Sequence, residues 1–382
     1  MKIPFNKPYL TGKELPYIAD AHSRGVLSGE GIYTGKCQKW IEGQLNSTKA
    51  FLTHSGTAAL EMAALLIDLT PGEEVIMPSF AFPSTANAFV LRGAVPVFVD
   101  IREDTLNLDE RLIETAITPR TKAICVVHYA GIGCEMDSIM HIADRYRLTV
   151  IEDAAHGVMA SYHGRCLGSM GHFGAYSFHE TKNLICGEGG ALLINDPVFI
   201  EKAEIIREKG TDRSRFFRGE IDEYCWRDMG SSFLLGELSA AFLWAQMEAA
   251  DVILRDRMAL WETYQVMLDG FEKENLLRRP VVPKGCRHNG HTYFVLMPDR
   301  ETRDKVIFKL KEQKIHALSH YVPLHSAPAG LRFGKTHGKL TITADMAGRI
   351  LRLPLWVGLQ PGQVARVVIT LESVLRSFKK RG

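Results

Sequence analysis

The sequence predicts an α/β protein with two unequal domains, a large one on a mostly parallel sheet and a smaller α+β domain after it. Its 382 residues are too many for one ordinary core. Over the first two thirds, runs rich in Val and Ile alternate with helical patterns, which indicates a parallel sheet covered on both faces. After Gly270 this pattern changes. We therefore assign residues 1–250 to the large domain and 251–382 to the small one, with the boundary within residues 250–270.

The large domain is predicted to start with the strand KAFLTH, the helix GTAALEMAALLIDL, the strand EEVIMP and the helix FPSTANAFVLRG. Two fully apolar strands follow, VPVFVDI and KAICVVHY, with the helix LDERLIETAI between them. The helix EMDSIMHIADRYR then precedes the strand LTVIEDAA. FGAYSFH and GALLIND are two further short strands.

A single long amphipathic helix is predicted next, in GELSAAFLWAQMEAADVILRDRMALWETYQVML. The small domain then contains HTYFVLMP, a helix near residues 303–313, the segment IHALSHYVP and a last helix near residues 361–378. This mixture of short apolar segments and helices is typical of an α+β domain.

The composition argues against several classes of protein. The formal net charge is only +2, so no global field favours nucleic acid or an anionic membrane. We expect no signal peptide, and no apolar stretch approaches the ~20 residues of a membrane-spanning helix. The seven cysteines are scattered and form no C-x-x-C pair, which argues against zinc or a disulfide framework and favours a reducing cytoplasm. The NST sequon at Asn46 then has no role.

Two glycine-rich segments resemble nucleotide-binding motifs but fail in detail. In GIYTGKCQ, residues 31–38, the first glycine is one residue too close to Gly35, and Cys37 stands where a magnesium-binding hydroxyl is needed. We expect this segment to be a glycine-rich N-terminal loop. GSMGHFG, residues 168–174, lacks the G-x-G-x-x-G spacing and predicts no dinucleotide site. The histidines lack H-x-x-x-H spacing, so no metal site is predicted.

Three segments place polar groups where a ligand would bind. Asp153 closes the strand LTVIEDAA, at the sheet edge where ligands of α/β proteins gather, although a lone aspartate better fits a helix cap. Ser55, Gly56 and Thr57 lie between a strand and a helix, where free N–H groups and the helix dipole form an anion cup, and plain helix capping explains them equally well. Lys182 follows an apolar strand, and most lysines are simply solvated.

Together these groups meet the needs of pyridoxal 5′-phosphate. Its phosphate needs N–H and hydroxyl donors, to which Ser177 adds one. A carboxylate such as Asp153 keeps its pyridine nitrogen protonated. A lysine whose pKa is lowered by burial, here Lys182, holds its aldehyde as a Schiff base. An aromatic residue covers the ring; Phe82 is the candidate, with Phe80 and a core role as alternatives.

The segments DAAHG and GHFGAYSFHETKN resemble the aspartate and lysine segments of the DegT/DnrJ/EryC1/StrS family of sugar aminotransferases. The resemblance covers nearly the whole chain and includes VHYAGIGCEMD and HYVPLH. It implies the fold-type I aminotransferase architecture, with a mostly parallel seven-stranded sheet and a smaller C-terminal α+β domain. SFHETKN and WRDMGSS further resemble the branch that makes dTDP-4-amino-4,6-dideoxygalactose, a precursor used in enterobacterial common antigen, a lipopolysaccharide-related surface glycan.

The resemblance implies a role for each site residue. Lys182 is the Schiff-base lysine and general base, Asp153 pairs with the pyridine nitrogen, and His156 lies near the ring and its phenolic oxygen in place of a common glutamine. Residues implied to bind the phosphate or cover the ring are Ser55, Gly56, Thr57, Ser177 and Phe82. Many members have an asparagine, which binds the neighbouring subunit's phosphate, where this chain has Ser232. A homodimer with shared sites is thereby implied.

The implied reaction transfers an amino group from L-glutamate to C4 of a dTDP-linked 4-keto-6-deoxyhexose. Arg213 and Arg218 are candidates for the diphosphate, within a charge run that solvation explains equally well. His320 and His325 are candidates for the sugar, and a structural role fits either of them as well. The alternatives are an enzyme that makes the 4-amino-4,6-dideoxyglucose epimer, one that acts on a 3-keto sugar, a non-catalytic cofactor-binding or regulatory protein, and a nicotinamide oxidoreductase.

Overall fold

The structure, a computed structural model, describes residues 2–45 and 49–379, so the Asn46 sequon lies outside the described residues. The strands are β1 (Lys49–Thr53), β2 (Glu74–Pro78), β3 (Val95–Val99), β4 (Thr121–Val127), β5 (Thr149–Asp153), β6 (Ser161–Tyr162), β7 (Arg165–Cys166), β8 (Phe173–Ser177), β9 (Gly190–Ile194), β10 (Cys286–Arg287), β11 (Tyr293–Leu296), β12 (Lys335–Thr336) and β13 (Ile350–Leu353). The helices are α1 (Glu14–Arg24), α2 (Ile32–Leu45), α3 (Gly56–Leu66), α4 (Pro83–Val90), α5 (Ile113–Ala116), α6 (Met136–Tyr146), α7 (Ile200–Arg207), α8 (Arg213–Phe217), α9 (Glu237–Glu248), α10 (Ala250–Met267), α11 (Asp269–Lys273), α12 (Arg300–Glu312), α13 (Pro328–Phe333), α14 (Thr341–Arg349) and α15 (Pro361–Lys379).

The large sheet has the strand order β1-β9-β8-β5-β4-β2-β3-β12. Strand β9 runs antiparallel to its neighbours β1 and β8, and the other pairs are parallel. The predicted α/β class and the seven implied strands are confirmed. An eighth strand, the two-residue β12, pairs with the edge strand β3 and comes from the C-terminal part of the chain. It thereby covers part of an edge that would otherwise stay unpaired.

Helices cover both faces of this sheet. On one face, α3, α4 and α7 enclose a core that includes Ala59 and Phe89. On the other face, α1, α2, α6 and α9 enclose a core that includes Ile41 and Leu243. This double covering explains why the central strands are apolar along their whole length, since both of their faces lie against helices.

A further core lies around β11 and β13, which pair antiparallel. It contains Trp261, Tyr264 and Leu351, together with Ile3 from the N-terminal segment. Ile3 is fully buried and forms a parallel bridge with Ile315. The assignment of residues 1–250 and 251–382 to two domains stays a prediction, and the first residues of the chain contribute to the C-terminal core.

The long helix predicted after Gly236 was wrong, because the segment forms two helices, α9 and α10, that meet at Ala249. This residue has φ −102° and ψ 9°, outside the helical range. No glycine or proline marks the break. Helix α9 packs against α1 and α2, whereas α10 supplies Trp261 and Tyr264 to the C-terminal core. The break therefore follows tertiary packing rather than local sequence.

The predicted N-terminal loop at residues 31–38 was also wrong, because most of it lies in α2. The carboxylate of Glu237 accepts hydrogen bonds from the N–H groups of Tyr33 and Thr34 and from the Thr34 hydroxyl at 2.6 Å. This satisfies free N–H groups at the start of the helix. Since Glu237 lies 204 positions from Tyr33, the local sequence does not reveal this cap.

The segment LDERLIETAI forms less helix than predicted, a 3₁₀ turn at Glu110–Leu112 followed by the short α5. Two further findings concern the part of the chain that the structure describes. No helix there has both the length and the apolar character needed to cross a membrane. No group of three or more His, Cys, Asp or Glu side chains there is arranged to hold a metal ion.

Candidate active site

A cavity of about 530 Å³ lies where strands β5 and β8 end and loops from the C-terminal part of the chain meet them. Most of the residues predicted from the sequence lie on its wall. These are Ser55, Gly56, Thr57, Phe82, Asp153, His156, Ser177, Lys182 and His320. The cavity thus brings together groups that are far apart in the sequence.

A cup of hydroxyl groups lies at the N-terminus of α3. Ser55 has an extended backbone and caps the helix, with its Oγ accepting a hydrogen bond from the Ala58 N–H at 3.0 Å. The hydroxyls of Thr57 and Ser84 are 2.7 Å apart. A Cβ on Gly56 would lie only 2.9 Å from the Cβ of Ser177, so the close approach of α3 to β8 requires glycine here. The capping and the anion-cup explanations of this turn are therefore compatible.

Asp153, the last residue of β5, is held by two hydrogen bonds. Its Oδ2 accepts from the Thr85 hydroxyl at 2.6 Å, and its Oδ1 accepts from the Ala155 N–H at 3.1 Å. Only 7% of the residue is exposed. Turns rather than a helix follow β5, so the helix-cap alternative was wrong. The carboxylate is fixed at the cavity wall.

Lys182 lies on the connection between β8 and β9, with its backbone N–H donating to the His179 carbonyl at 2.9 Å. Burial lowers the pKa of its ammonium group from 10.5 to about 8; the charge of Asp153 opposes this shift, and that of Arg352 adds to it. A solvated surface lysine would keep its ordinary pKa. The side chain is therefore an amine that loses its proton readily, as a nucleophile or base requires.

Three histidines form a cluster beside Lys182. The rings of His156 and His291 stack at 4.0 Å, and those of His156 and His320 are parallel at 6.3 Å. Burial lowers the pKa of all three imidazoles well below 6.5, so they are neutral near pH 7. His156 Nδ1 accepts from the Ala130 N–H at 3.3 Å, which places its proton on Nε2.

The ring of His320 pairs with Tyr129, whose hydroxyl lies 2.7 Å from His320 Nδ1. Burial raises the pKa of Tyr129 above 10, so this phenol keeps its proton. Burial also keeps the imidazole of His320 neutral near pH 7. His320 is therefore a neutral, hydrogen-bonded imidazole on the cavity wall.

The loop before β11 braces the site, and the sequence did not predict it. Asn289 Nδ2 donates to the carbonyl groups of His156 at 2.7 Å and Val158 at 2.8 Å. Asn183, next to Lys182, donates to the Asn289 carbonyl at 2.9 Å, and its Oδ1 lies 3.0 Å from His291 Nδ1. One loop thus fixes both the lysine segment and the histidine segment. The cluster HNGH ahead of an apolar strand was the only available signal.

Of the two candidate aromatic residues, Phe80 is 1% exposed and belongs to the core, where it contacts Tyr129 and Tyr321. Phe82 lies at the start of α4 and is 58% exposed on the cavity wall. A ring this exposed at a cavity is available to cover a flat ligand. The geometry therefore favours Phe82 over Phe80.

The structure does not bring four predicted residues to this cavity: Arg213, Arg218, Ser232 and His325. Arg218 forms ion pairs with Glu204 at 2.9 Å and Glu220 at 2.6 Å. Arg213 lies 3.8 Å from Glu208 and against the ring of Phe217. The ring of His325 bonds to the Ser79 hydroxyl at 2.7 Å. Local charge and hydrogen-bond partners thus account for three of the four.

Ser232, the fourth, is exposed and forms an antiparallel backbone bridge with Glu208.

Two arginines that the sequence did not single out, Arg257 and Arg352, do line the cavity. Arg257 lies in α10 and Arg352 in β13, and the hydrophobic patterns of both elements are those of ordinary core elements. The only sequence signal for Arg352 was an isolated charge in the apolar segment ILRLPLW.

The DegT/DnrJ/EryC1/StrS aminotransferase family matches residues 9–372, nearly the whole chain. The chain belongs to this family. GDP-perosamine synthase of Caulobacter vibrioides is 32% identical to this aminotransferase over 378 residues, with 98% of both chains covered. Spore coat polysaccharide biosynthesis protein SpsC of Bacillus subtilis is 31% identical over 382 residues, covering 98% of this chain and 97% of SpsC. The solved structure of S. venezuelae DesV is 30% identical with a TM-score of 0.88, covering 98% of both chains.

This aminotransferase is a pyridoxal phosphate-dependent enzyme that acts on nucleotide sugars. The residues of the cavity fit the cofactor. The hydroxyl cup at the start of α3 offers N–H and O–H donors to a phosphate, and the buried Asp153 offers a carboxylate to a protonated ring nitrogen. Lys182 supplies an amine of lowered pKa. The predicted cofactor is confirmed, whereas the role of each residue stays a prediction.

Proposed function

We propose that this enzyme transfers the amino group of L-glutamate to C4 of dTDP-4-keto-6-deoxy-D-glucose. The products are dTDP-4-amino-4,6-dideoxy-D-galactose and 2-oxoglutarate. The observation that carries the proposed chemistry is the amine of lowered pKa, Lys182, between a fixed carboxylate and a hydroxyl cup in one cavity. The choice of sugar rests on the resemblance of SFHETKN and WRDMGSS to the branch that makes this product.

The bound cofactor supplies an aldehyde for the amino group and a ring that takes up the electron pair left when a C–H bond breaks. The residues of the chain do the rest. Lys182 takes the proton from Cα of glutamate as general base and later gives a proton to C4 of the sugar as general acid. Asp153 would keep the ring nitrogen of the bound cofactor protonated, and His156 would offer its Nε2–H as a hydrogen-bond donor to the phenolic oxygen. Ser55, Thr57 and Ser177 belong to the group that binds the phosphate.

We further propose a homodimer in which Ser232 of one protomer contributes to the cofactor site of the other. Ser232 is exposed and lies off the cavity of its own chain. Exposed apolar side chains precede it, with Trp226 at 80% and Met229 at 51%, as is common where a partner covers a surface. The proposed compartment is the cytoplasm, where nucleotide sugars occur and where the free cysteines stay reduced. Sedimentation equilibrium of the holoenzyme tests the dimer, and a monomer would contradict it.

The decisive experiment is incubation of the holoenzyme with L-glutamate and dTDP-4-keto-6-deoxy-D-glucose, followed by NMR of the product. We expect an axial amine at C4. An equatorial amine would identify the product as the 4-amino-4,6-dideoxyglucose epimer. If the enzyme left this sugar unchanged but converted a 3-keto sugar, amination would take place at C3 instead of C4. A parallel reaction with the GDP-linked 4-keto-6-deoxymannose is included because of the similarity to GDP-perosamine synthase. No change in the absorbance of bound cofactor on adding glutamate would favour a non-catalytic protein.

Replacement of Lys182 by alanine is expected to lower kcat by at least about 10³-fold, because no other amine lines the cavity within the described residues to move the proton. Steady-state assay of 2-oxoglutarate release measures this. The control is Lys202→Ala, since Lys202 forms its ion pair with Asp68 outside the cavity. A Lys182→Ala enzyme as fast as the control would remove Lys182 from the mechanism.

A further inference from the structure

A buried carboxylate that the proposed mechanism does not use lies one residue before Asp153. Glu152 is fully buried. Because side chains alternate along β5, it lies on the opposite face of the sheet from Asp153, the face on which Val150 packs. Removing a carboxylate from water is costly unless hydrogen bonds replace the lost water. Glu152 therefore needs several donors from the protein.

Four donors surround this carboxylate. Its Oε1 accepts from the N–H groups of Met170 and Gly171, both at 2.6 Å, and its Oε2 accepts from the Gly168 N–H at 2.8 Å. The fourth donor is His128 Nε2, which lies 2.8 Å from Oε2. The glycine-rich segment GSMGHFG, which failed as a dinucleotide motif, thus encloses a carboxylate of its own chain.

His128 links this carboxylate to the backbone of Asp153. Its ring is fully buried, and its Nδ1 accepts from the Cys134 N–H at 3.1 Å. The ring proton therefore lies on Nε2 and is donated to Glu152. The backbone N–H of His128 donates to the Asp153 carbonyl at 3.1 Å. One residue thus bonds both to the side chain of Glu152 and to the backbone of its neighbour.

The pair of His128 and Glu152 joins three neighbouring strands that carry groups of the cavity. His128 follows Val127 at the end of β4, Glu152 precedes Asp153 at the end of β5, and the enclosing N–H groups come from the loop that leads into β8. Val127, Asp153 and the last residue of β8, Ser177, all line the cavity. The pair therefore supports the cavity from the far side of the sheet.

We propose that His128 and Glu152 are positioning residues that hold Asp153 where its carboxylate can pair with the ring nitrogen of the cofactor. The inference rests on the role proposed above for Asp153. Thr85 and Ala155 fix the carboxylate itself, whereas the pair fixes the backbone that carries it. A displacement of about 1 Å at a reacting group can cost on the order of 10²-fold in rate, so support behind a site contributes to its chemistry.

The test compares Glu152→Gln, His128→Leu and His128→Gln with the control Glu237→Gln. In Glu152→Gln the amide cannot accept all four hydrogen bonds, because its nitrogen is a donor. His128→Leu removes the bond to Glu152, whereas the amide of His128→Gln offers one donor and one acceptor, as the imidazole does. Glu237 is also a buried carboxylate that accepts from backbone N–H groups, and it lies outside the cavity.

Two measurements separate positioning from a loss of stability. The first is the rate at which the cofactor-free protein captures pyridoxal phosphate as a function of pH, whose midpoint reports the pKa of Lys182. The charge of Asp153 raises this pKa, which is about 8. Asp153 that is no longer held in place should raise it less, so the midpoint should fall, as in Asp153→Asn. The second is the dissociation constant of pyridoxal phosphate, which should rise on the order of 10-fold, as for the loss of one hydrogen bond.

We expect both changes in Glu152→Gln and His128→Leu, and values close to the wild type in His128→Gln. Glu237→Gln should lose stability toward urea without either change. If Glu152→Gln and His128→Leu matched this control in both measurements, the pair would serve stability alone and the proposal would be overturned. Should Glu152→Gln fail to fold, the comparison of His128→Leu with His128→Gln decides.

Failure of the proposed role of Asp153 gives a different result. If Asp153→Asn left the midpoint and the dissociation constant unchanged, that role would be contradicted. Hydrogen exchange at the Ala155 amide, which donates to Asp153, would still show whether the pair holds this end of β5. We expect faster exchange there in His128→Leu than in Glu237→Gln, and equal rates would refute the positioning itself.

Discussion

At the scale of single residues, the site depends on which charges are exposed to water and which are not. Lys182 and Arg352 are both cations at one cavity, and burial lowers the pKa of each. The histidines around them stay neutral for the same reason. Asp153 is the one carboxylate whose charge raises the pKa of Lys182. The pKa of the amine is therefore set first by its burial and then by the charges of Asp153 and Arg352.

A pH dependence follows for the cofactor-free protein. Only the unprotonated amine of Lys182 reacts with an aldehyde, so the rate of pyridoxal phosphate capture should rise with pH through a midpoint of about 8. Asp153→Asn removes the charge that raises this pKa and should lower the midpoint. Arg352→Gln removes a charge that lowers it and should raise the midpoint. Stopped-flow absorbance over pH 6–11 measures the rate, and a midpoint near the ordinary lysine value of 10.5 would contradict the assigned environment.

At the scale of elements, the phosphate cup depends on the contact between the start of α3 and the end of β8. The helix is rich in alanine, and Ala58, Ala59, Ala63 and Ala64 are all buried. Such small side chains let the helix lie close to the sheet, and Gly56 extends this close packing to the first turn. The cup is therefore a product of packing as much as of its hydroxyl groups.

Gly56→Ala is expected to disturb this contact, since its methyl group would lie 2.9 Å from Ser177 Cβ and 3.1 Å from the Tyr176 carbonyl oxygen. We expect a loss of about 1–3 kcal/mol in the free energy of unfolding and weaker retention of the cofactor. Urea denaturation and dialysis against buffer measure the two effects.

The matched control is Gly43→Ala in α2, where a methyl group meets nothing within 4 Å. Alanine is the better helix former, so this variant should be neutral or more stable by up to about 1 kcal/mol. Equal stability of the two variants would show that the contact between α3 and β8 has room to adjust.

At the scale of the whole molecule, the sequence predicted what local patterns encode. The strand ends that carry Asp153 and Ser177 were found because period and composition mark buried strands. The break at Ala249, the cap supplied by Glu237 and the arginine on β13 were not, because each depends on chain segments far away in sequence. For Arg213 and Arg218 the local pattern misled: a run of positive charge predicted ligand binding, but these arginines form ion pairs with the nearby Glu208 and Glu204.

Ile3→Ala tests how firmly the N-terminal segment belongs to the C-terminal core. Ile3 is fully buried there, so the substitution should lower the free energy of unfolding by about 2–4 kcal/mol. Urea denaturation followed by tryptophan fluorescence measures it, since Trp261 and Trp356 lie in the same core. Val26→Ala, at a residue 50% exposed, should change stability by less than about 0.5 kcal/mol. Equal effects would mean that the segment adds nothing to that core.

The bridge between Ile3 and Ile315 has a consequence for biosynthesis. The ribosome makes Ile3 long before Ile315. The apolar side chains of the N-terminal segment therefore stay exposed to water until most of the chain has been made. Closing so long a loop is entropically costly and slow. Phe5 lies against Arg352, and both residues line the cavity. This wall of the cavity therefore forms only when the N-terminal segment packs against the C-terminal part of the chain. A nascent chain stalled before Ile315 would lack this bridge, the strand β12 and the Arg352 side of the cavity.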